Sequence, residues 1–311
     1  MSSERIKLIK TASIISICGN LILAVLKIVF GIIAKSNAVL ADGIDSSSDV
    51  LISIVSLAVV GVMSKPADVE HPFGHRRAET IATAFLSFVL FFSGAQLVVN
   101  SVSKLINGGQ PPELSITVFI VTVVSILGKL AISLSQSIIG KRANSQMLIA
   151  NAKNMTGDIL ISSSVLVGLV ISLFSDSLIV DSIIAMLIGL WVVKTSVNIF
   201  MEVNIELMDG NTELEPYRIV FEAVSIVDGA FNPHRARMRK IAGMWDIDFD
   251  IHVDPTCSIT KAHNIARAVE DEIMRRMDNI LEVVIHVEPM GDIDDTESFG
   301  LTEELIETAQ E

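Results

Sequence analysis

Long apolar runs dominate the first two thirds of the chain. A run of about 20 apolar residues is long enough to cross the hydrocarbon core of a bilayer as a helix. Six runs meet this length, and they cover residues 11–33, 37–64, 79–106, 114–139, 146–174 and 178–201. The pattern therefore predicts an α-helical membrane protein, with six transmembrane helices in a domain over residues 1–209.

The hydropathy pattern changes after Phe200, where shorter amphipathic segments begin. Periodicity predicts the order helix, strand, strand, helix, strand, over residues 213–227, 235–241, 245–253, 260–277 and 280–287. Such an order favours a small α/β domain, over residues 210–291, with helices on one side of a sheet. Residues 292–311 contain eight acidic and no basic side chains, which predicts a disordered or weakly helical tail.

Composition and charge narrow the function. A hydrophobic share of 50% and a mean hydropathy of +0.58 are typical of a membrane protein. The net charge of −13 argues against nucleic-acid binding. Basic residues concentrate before the first span and in the loops after the second and fourth, so both termini are expected in the cytoplasm. We expect a multi-pass protein of the plasma membrane, the inner membrane in a bacterium, that is a transporter and not an enzyme. No HExxH or GxSxG motif occurs, so hydrolysis has no support in the sequence.

Three aspartates interrupt the second apolar run. Asp42, Asp45 and Asp49 follow the spacing i, i+3, i+7, which places them on one helical face. Charged groups inside a membrane are costly and face a cavity or a partner rather than lipid. The fifth run adds Asn154 and Asp158 at i, i+4. Two helices, each with two oxygen ligands, predict a cation site. Its four ligands are Asp45, Asp49, Asn154 and Asp158, and Asp42 is a supporting residue.

Two further groups of residues suggest metal ligands. The loop between the second and third spans contains Asp68, His71 and His75 within eight residues, and such nitrogen and oxygen ligands suit Zn²⁺-like ions. A polar loop with a capping histidine is the alternative. The α/β domain contains four histidines, and their density favours metal binding over purely structural roles. These are His234 before a strand, His252 and His286 in strands, and His263 at a helix start.

Four motifs together resemble the cation diffusion facilitator family: VLADGIDSSSD, PADVEHPFGHRRAE, the NxxxD of the fifth span and VIHVEP. The resemblance extends over nearly the whole chain. It implies a homodimeric, proton-driven exporter of divalent metals, with six transmembrane helices and a cytoplasmic ferredoxin-like domain. It also implies cytoplasmic metal ligands at His234, His252, His286 and Glu288, with His263 as a bridging ligand. In this family a charge interlock holds the dimer, and its matching positions are Arg77 and Asp209.

The identity of the metal depends on one departure from the family. Zinc-transporting members usually have histidine at the position of Asn154, which leaves only oxygen ligands here. Oxygen ligands suit Mn²⁺ and tolerate Fe²⁺, although carboxylates also bind Zn²⁺. We therefore expect proton-coupled export of Mn²⁺ or Fe²⁺, with Zn²⁺ also accepted. Bound metal ions are also candidates for structural or regulatory ligands. The alternatives are a metal channel and a metal-dependent membrane phosphotransferase, whose Ala-Arg signature after Asp42-Gly43 is missing.

Overall fold

The computed structural model describes residues 3–33, 37–107, 116–172, 178–291 and 299–308. The chain divides into two compact units, Met1–Asn204 and Ile205–Glu311. The first unit is helical and the second contains a sheet. Six long helices come first: α1 (Ser3–Ile33), α2 (Asn37–Met63), α3 (Ala78–Asn107), α4 (Ile116–Arg142), α5 (Gln146–Ser172) and α6 (Leu178–Leu207).

The prediction of a helical membrane domain is confirmed. Among the described residues, five helices are long and apolar enough to cross a membrane, and they lie in α1, α2, α3, α4 and α6. Many side chains of α5 lie outside the described residues. Large apolar side chains cover the outer surface of the helical unit, for example Ile22, Leu51 and Phe92. Such a surface is stable against lipid rather than water, whereas polar side chains such as Ser16, Asn20 and Gln136 are buried inside the unit.

Glycines allow the closest helix crossings. A Cβ atom at Gly43 of α2 would lie 2.9 Å from the backbone nitrogen of Ile28 in α1. At the crossing of α3 and α6, a Cβ on Gly94 would lie 3.1 Å from the carbonyl oxygen of Gly189. A Cβ on Gly189 would in turn lie 3.0 Å from the carbonyl oxygen of Gly94. Small residues of this kind let backbones approach within a membrane, where dispersion and polar contacts hold helices together.

Buried polar contacts connect the helices of the first unit. The hydroxyls of Ser16 in α1 and Ser53 in α2 lie 2.8 Å apart, and Gln136 of α4 donates to a carbonyl of α1 at 2.8 Å. At one end of the unit, Arg5 is buried and its Nη2 lies 2.6 Å from Oε2 of Glu79 at the start of α3. The same guanidinium donates to the carbonyl of Ala143 at 2.7 Å. Arg5 therefore ties α1 to α3 and to the segment between α4 and α5.

The second unit has the predicted α/β order, which is confirmed. It contains α7 (Glu215–Ile226), β1 (Phe231–Ile241), β2 (Met244–Val253), α8 (Ile259–Arg276), β3 (Ile280–Pro289) and α9 (Glu303–Thr308). The sheet order is β1-β2-β3, with β1 antiparallel and β3 parallel to the central strand. Alternate residues of β2, Ile247, Phe249 and Ile251, are fully buried in a core that includes Val269 and Ile273 of α8.

Part of the acidic tail is folded, and residues 303–308 form the short helix α9, which is the helical alternative of the prediction. Leu301 pairs with Ala236 of β1 in an antiparallel bridge, with backbone hydrogen bonds of 2.9 and 3.0 Å. Ile306 of α9 is only 2% exposed and belongs to the core of the unit. The segment is ordered because Ile306 is buried in the core and Leu301 packs against it, and the acidic composition gives no sign of these contacts. Residues 292–298 and 309–311 lie outside the described part of the tail.

Candidate metal centres

The proposed transport site joins α2 and α5 inside the helical unit. Asp49 and Asn154 are both buried, and Nδ2 of Asn154 donates to Oδ1 of Asp49 at 3.4 Å. Asp158 lies one turn further along α5, on the same face as Asn154. The structure therefore brings together three of the four predicted ligands. Asp42 and Asp45 belong to α2, but their side chains lie outside the described residues.

A buried lysine that the sequence analysis did not identify completes this group. Nζ of Lys129 in α4 lies 2.9 Å from Oδ2 of Asp49 and 2.7 Å from Oδ2 of Asp158. The Lys129 side chain is only 2% exposed. One ammonium therefore bridges two carboxylates from different helices. The signal in the sequence was a single lysine in an apolar span, which is unfavourable in a membrane unless the charge has a partner.

A second buried lysine lies in α1. Lys27 is fully buried and its ammonium donates to the hydroxyl of Ser46 in α2 at 2.9 Å. Ser46 lies three residues before Asp49 in the same helix. The helical unit therefore contains basic side chains next to the aspartate-bearing face of α2, as well as the carboxylates that the sequence analysis emphasised.

The loop between α2 and α3 forms a compact cluster of predicted ligands. Nδ1 of His71 lies 3.3 Å from Oδ1 of Asp68, and Nε2 of His75 lies 3.5 Å from Oδ2 of Asp68. One ligand atom from each of the three residues lies within 4.8 Å of the others. The backbone amide of His71 donates to Asp68 at 2.7 Å, and this bond chiefly lowers the pKa of Asp68. The carboxylate is therefore held ionised, which is the form that binds metals.

A second cluster lies on the sheet of the α/β unit. Nε2 of His234 lies 3.2 Å and Nε2 of His252 lies 3.5 Å from Oε2 of Glu288. Nδ1 of His234 lies 2.9 Å from the carbonyl oxygen of Asn232, which can only accept, so this nitrogen carries a proton. In a neutral ring the other nitrogen, Nε2, then offers its lone pair toward the carboxylate. Either a proton on Nε2 or a bound cation can join this nitrogen to the carboxylate, and the three ligand atoms lie within 4.8 Å of one another, so the geometry suits a metal ion.

A β-bulge explains how His234 reaches this cluster. The sequence analysis placed His234 before the strand, whereas the structure places it inside β1, opposite Asp250 of β2. The pairing register shifts on both sides of His234, and Asn232 and Arg235 have positive φ angles of 45° and 50°. Such bulges redirect side chains at functional sites. The bulge hid this strand start from the prediction, since strict alternation is broken there.

The remaining predicted ligands of this domain are less well placed. Nε2 of His286 lies 3.5 Å from Oε1 of Glu288, but its side chain is 64% exposed, at the edge of the cluster. His263 is exposed on α8, and it belongs to neither ligand cluster found among the described residues. The role of His263 as a bridging ligand stays a prediction.

The predicted dimer interlock involves Arg77 and Asp209. Arg77 lies directly before α3, and Asp209 follows α6. Within the second unit, Oδ2 of Asp209 lies 3.2 Å from the guanidinium of Arg239. Arg239 also pairs with Asp246 at 2.8 Å, and this hydrogen bond is the main cause of the raised pKa of Arg239. The interlock between Arg77 and Asp209 stays a prediction.

Comparison with known proteins identifies the family. The family model described as "Cation efflux transmembrane domain" matches residues 13–208. The chain belongs to the cation efflux family. A second model, described as "Cation efflux protein, cytoplasmic domain", matches residues 213–290. Membership confirms the resemblance to the cation diffusion facilitators, and it makes this cation efflux protein a transporter rather than an enzyme.

Curated relatives match almost the full length of the chain. It is 30% identical over 299 residues to the "Manganese efflux system protein MneP" of Bacillus subtilis (strain 168), covering 93% of this chain and 99% of the relative. "Manganese efflux system protein MneS" of the same organism is 27% identical over 289 residues, covering 92% and 98%. "Cation-efflux pump FieF" of Pectobacterium carotovorum subsp. carotovorum (strain PC1) is 26% identical over 307 residues, covering 97% and 100%.

Proposed function

We propose that this cation efflux protein exports Mn²⁺ from the cytoplasm in exchange for protons, with Fe²⁺ and Zn²⁺ as weaker substrates. The observation that carries the proposal is the group of oxygen ligands formed by the buried Asp49 of α2 and by Asn154 and Asp158 of α5, in which Lys129 bridges the two carboxylates. Asp45, one turn before Asp49, is the fourth proposed ligand, and Asp42 is a supporting residue.

The choice of manganese follows from the ligand chemistry. Mn²⁺ is satisfied by carboxylate and amide oxygens, whereas imidazole and thiolate ligands favour Zn²⁺. The described ligands at this site are two carboxylates and one amide, without a histidine. Two relatives at 30% and 27% identity are named manganese efflux system proteins, which supports the same metal.

Proton coupling follows from the chemistry of carboxylates. A metal ion and protons compete for the same carboxylate oxygens, so binding of one releases the other. Transport then requires two helix arrangements, open to opposite sides, with different affinities for metal and protons. The metal loads from the cytoplasm, is released outside, and the site returns to the cytoplasmic side with protons bound.

The other clusters have supporting roles in this proposal. The match to the cytoplasmic domain of the family supports a homodimer. The domain cluster of His234, His252 and Glu288 binds metal as a sensor, with His286 at its edge. The loop cluster of residues 68–75 is a second metal site near the membrane surface. The protein lies in the plasma membrane with both termini in the cytoplasm, where these clusters meet metal before it is exported.

Transport by the purified protein in liposomes tests the proposal. Uptake of Mn²⁺, Fe²⁺, Zn²⁺ and Co²⁺ is measured with and without a pH gradient. We expect saturable Mn²⁺ uptake that increases when the gradient drives protons in the opposite direction, and no uptake by Asp49→Ala. The matched control is Lys194→Gln, which changes an exposed side chain of α6 and should transport normally. Flux that neither saturates nor responds to the gradient would indicate a channel instead.

A further inference from the structure

The feature that the transport proposal leaves unexplained is the bridging ammonium of Lys129. It lies 2.9 Å from a carboxylate oxygen of Asp49 and 2.7 Å from one of Asp158. Both aspartates are transport-site ligands under the function proposed above, and the role inferred for Lys129 rests on that function. One carboxylate would be enough to neutralise the charge of Lys129. Its ammonium instead contacts one carboxylate from each of the two proposed metal-binding helices, α2 and α5.

The ammonium and a metal ion compete for the same oxygens. A dication that binds a carboxylate oxygen lies about 2 Å from it. Since the Lys129 nitrogen is within 3 Å of one oxygen on each aspartate, the two cations would then be a few ångströms apart. Like charges at such a distance repel strongly in a poorly solvated interior. Metal binding at Asp49 and Asp158 therefore has to weaken or break the contacts of Lys129.

We propose that the Lys129 ammonium is a tethered competitor for the transport site, which neutralises Asp49 and Asp158 until a divalent cation displaces it. The competitor is covalently attached, so its local concentration is high and constant. Displacement then costs binding energy that every transported ion has to supply. Release on the far side is assisted in turn, because the ammonium returns to the same oxygens as the metal leaves.

Competition of this kind also gives selectivity by charge. A dication is attracted to the two carboxylates about twice as strongly as a monovalent ion at the same distance. Na⁺ and K⁺ carry the same charge as the tethered ammonium and lack its high local concentration, so they cannot replace it. Lys129 is therefore a residue that determines specificity for divalent over monovalent cations, in addition to the ligands that choose among divalent metals.

Metal binding to the purified full-length protein tests this role. Equilibrium binding of Mn²⁺ is measured for wild type and for Lys129→Gln, which removes the charge but keeps a polar side chain of similar length. The isotherm of each protein with Asp49→Ala added is subtracted, so that only the transport site is compared. We expect Lys129→Gln to lower the Kd for Mn²⁺ at least about tenfold, and to lower the rate of transport because release is slower.

A second measurement separates competition from a structural role. NaCl should weaken Mn²⁺ binding by Lys129→Gln more than N-methylglucamine chloride at equal ionic strength, and the two salts should act alike on wild type. Lys194→Gln, the exposed-lysine control, should behave as wild type in both measurements. A Kd for Mn²⁺ that is unchanged or higher in Lys129→Gln would overturn the assignment. Lys129→Met repeats the test if Lys129→Gln elutes as aggregate. Wild type without Mn²⁺ transport would instead refute the proposed function.

Discussion

Replacing Asp49 and Asp158 together by asparagine should destabilise the helical unit, and removing the charge of Lys129 should then restore much of the loss. The three groups form one buried ionic cluster, with contacts of 2.9 and 2.7 Å around a single ammonium. Each single replacement leaves Lys129 with the other carboxylate. We expect each to lower the free energy of unfolding by about 2 kcal/mol, the contribution of a hydrogen bond to a charged group.

The double replacement leaves the Lys129 ammonium without either carboxylate. An uncompensated buried charge costs about 3–5 kcal/mol, so we expect a loss of that size. Adding Lys129→Met removes the charge itself, and replacement of a whole buried ionic cluster by neutral groups is often nearly neutral. The triple variant should therefore recover at least about 2 kcal/mol relative to the double variant, with two buried asparagines limiting the recovery.

Unfolding by titration with SDS in mixed micelles, followed by circular dichroism, measures these differences. Lys194→Met in the double-variant background is the matched control, since Lys194 is exposed on the same helical unit and should rescue nothing. If the triple variant is as unstable as the double variant, Lys129 does not bear an uncompensated charge there, and the ionic cluster is not what connects α4 to α2 and α5.

Three further predictions concern other parts of the molecule. Asn154→His should raise the ratio of Zn²⁺ to Mn²⁺ transport at least about tenfold, because imidazole is a ligand that Zn²⁺ prefers; an unchanged ratio would mean that Asn154 does not touch the ion. In the isolated second unit, residues 205–311, His252→Ala should weaken metal binding measured by calorimetry more than His286→Ala, whose side chain is exposed; equal effects would contradict the proposed cluster. Glu79→Gln should lower the free energy of unfolding by about 3 kcal/mol, since it leaves the buried guanidinium of Arg5 without its carboxylate. A loss below about 1 kcal/mol in the SDS titration would show that water compensates this guanidinium.

The parts that sequence could predict are those with a strong local signal. Polar and charged side chains in apolar spans are costly, so they stand out in the sequence, and helical spacing places them on defined faces. This signal identified Asp49, Asn154 and Asp158. The strands of the second unit could also be predicted from sequence. In residues 244–253 apolar and polar side chains alternate, which indicates that every second side chain is buried. In both cases a short segment carries the information by itself.

The parts that sequence missed depend on contacts between distant segments. In the sequence, Lys129 is a single unfavourable charge in α4. The structure shows its role, because carboxylates from two other helices lie within 3 Å of its ammonium. His234 enters β1 through a bulge that breaks the alternation. Ile306 lies in an acidic tail whose composition indicates disorder, yet the core of the second unit accepts its side chain. None of these pairings leaves a periodic signal along the chain.

The contact between Lys129 and Asp158 has a consequence for how the chain is inserted into the membrane. The two residues are 29 positions apart, on consecutive helices joined by only a few residues. Asp158 lies near the middle of α5, and an aspartate at the centre of an inserting helix costs about 3 kcal/mol. Pairing with the preceding helix offsets this penalty for both charges. We therefore expect the hairpin of α4 and α5 to pass from the translocon into lipid as one unit, because synthesis provides the lysine before the aspartate needs it.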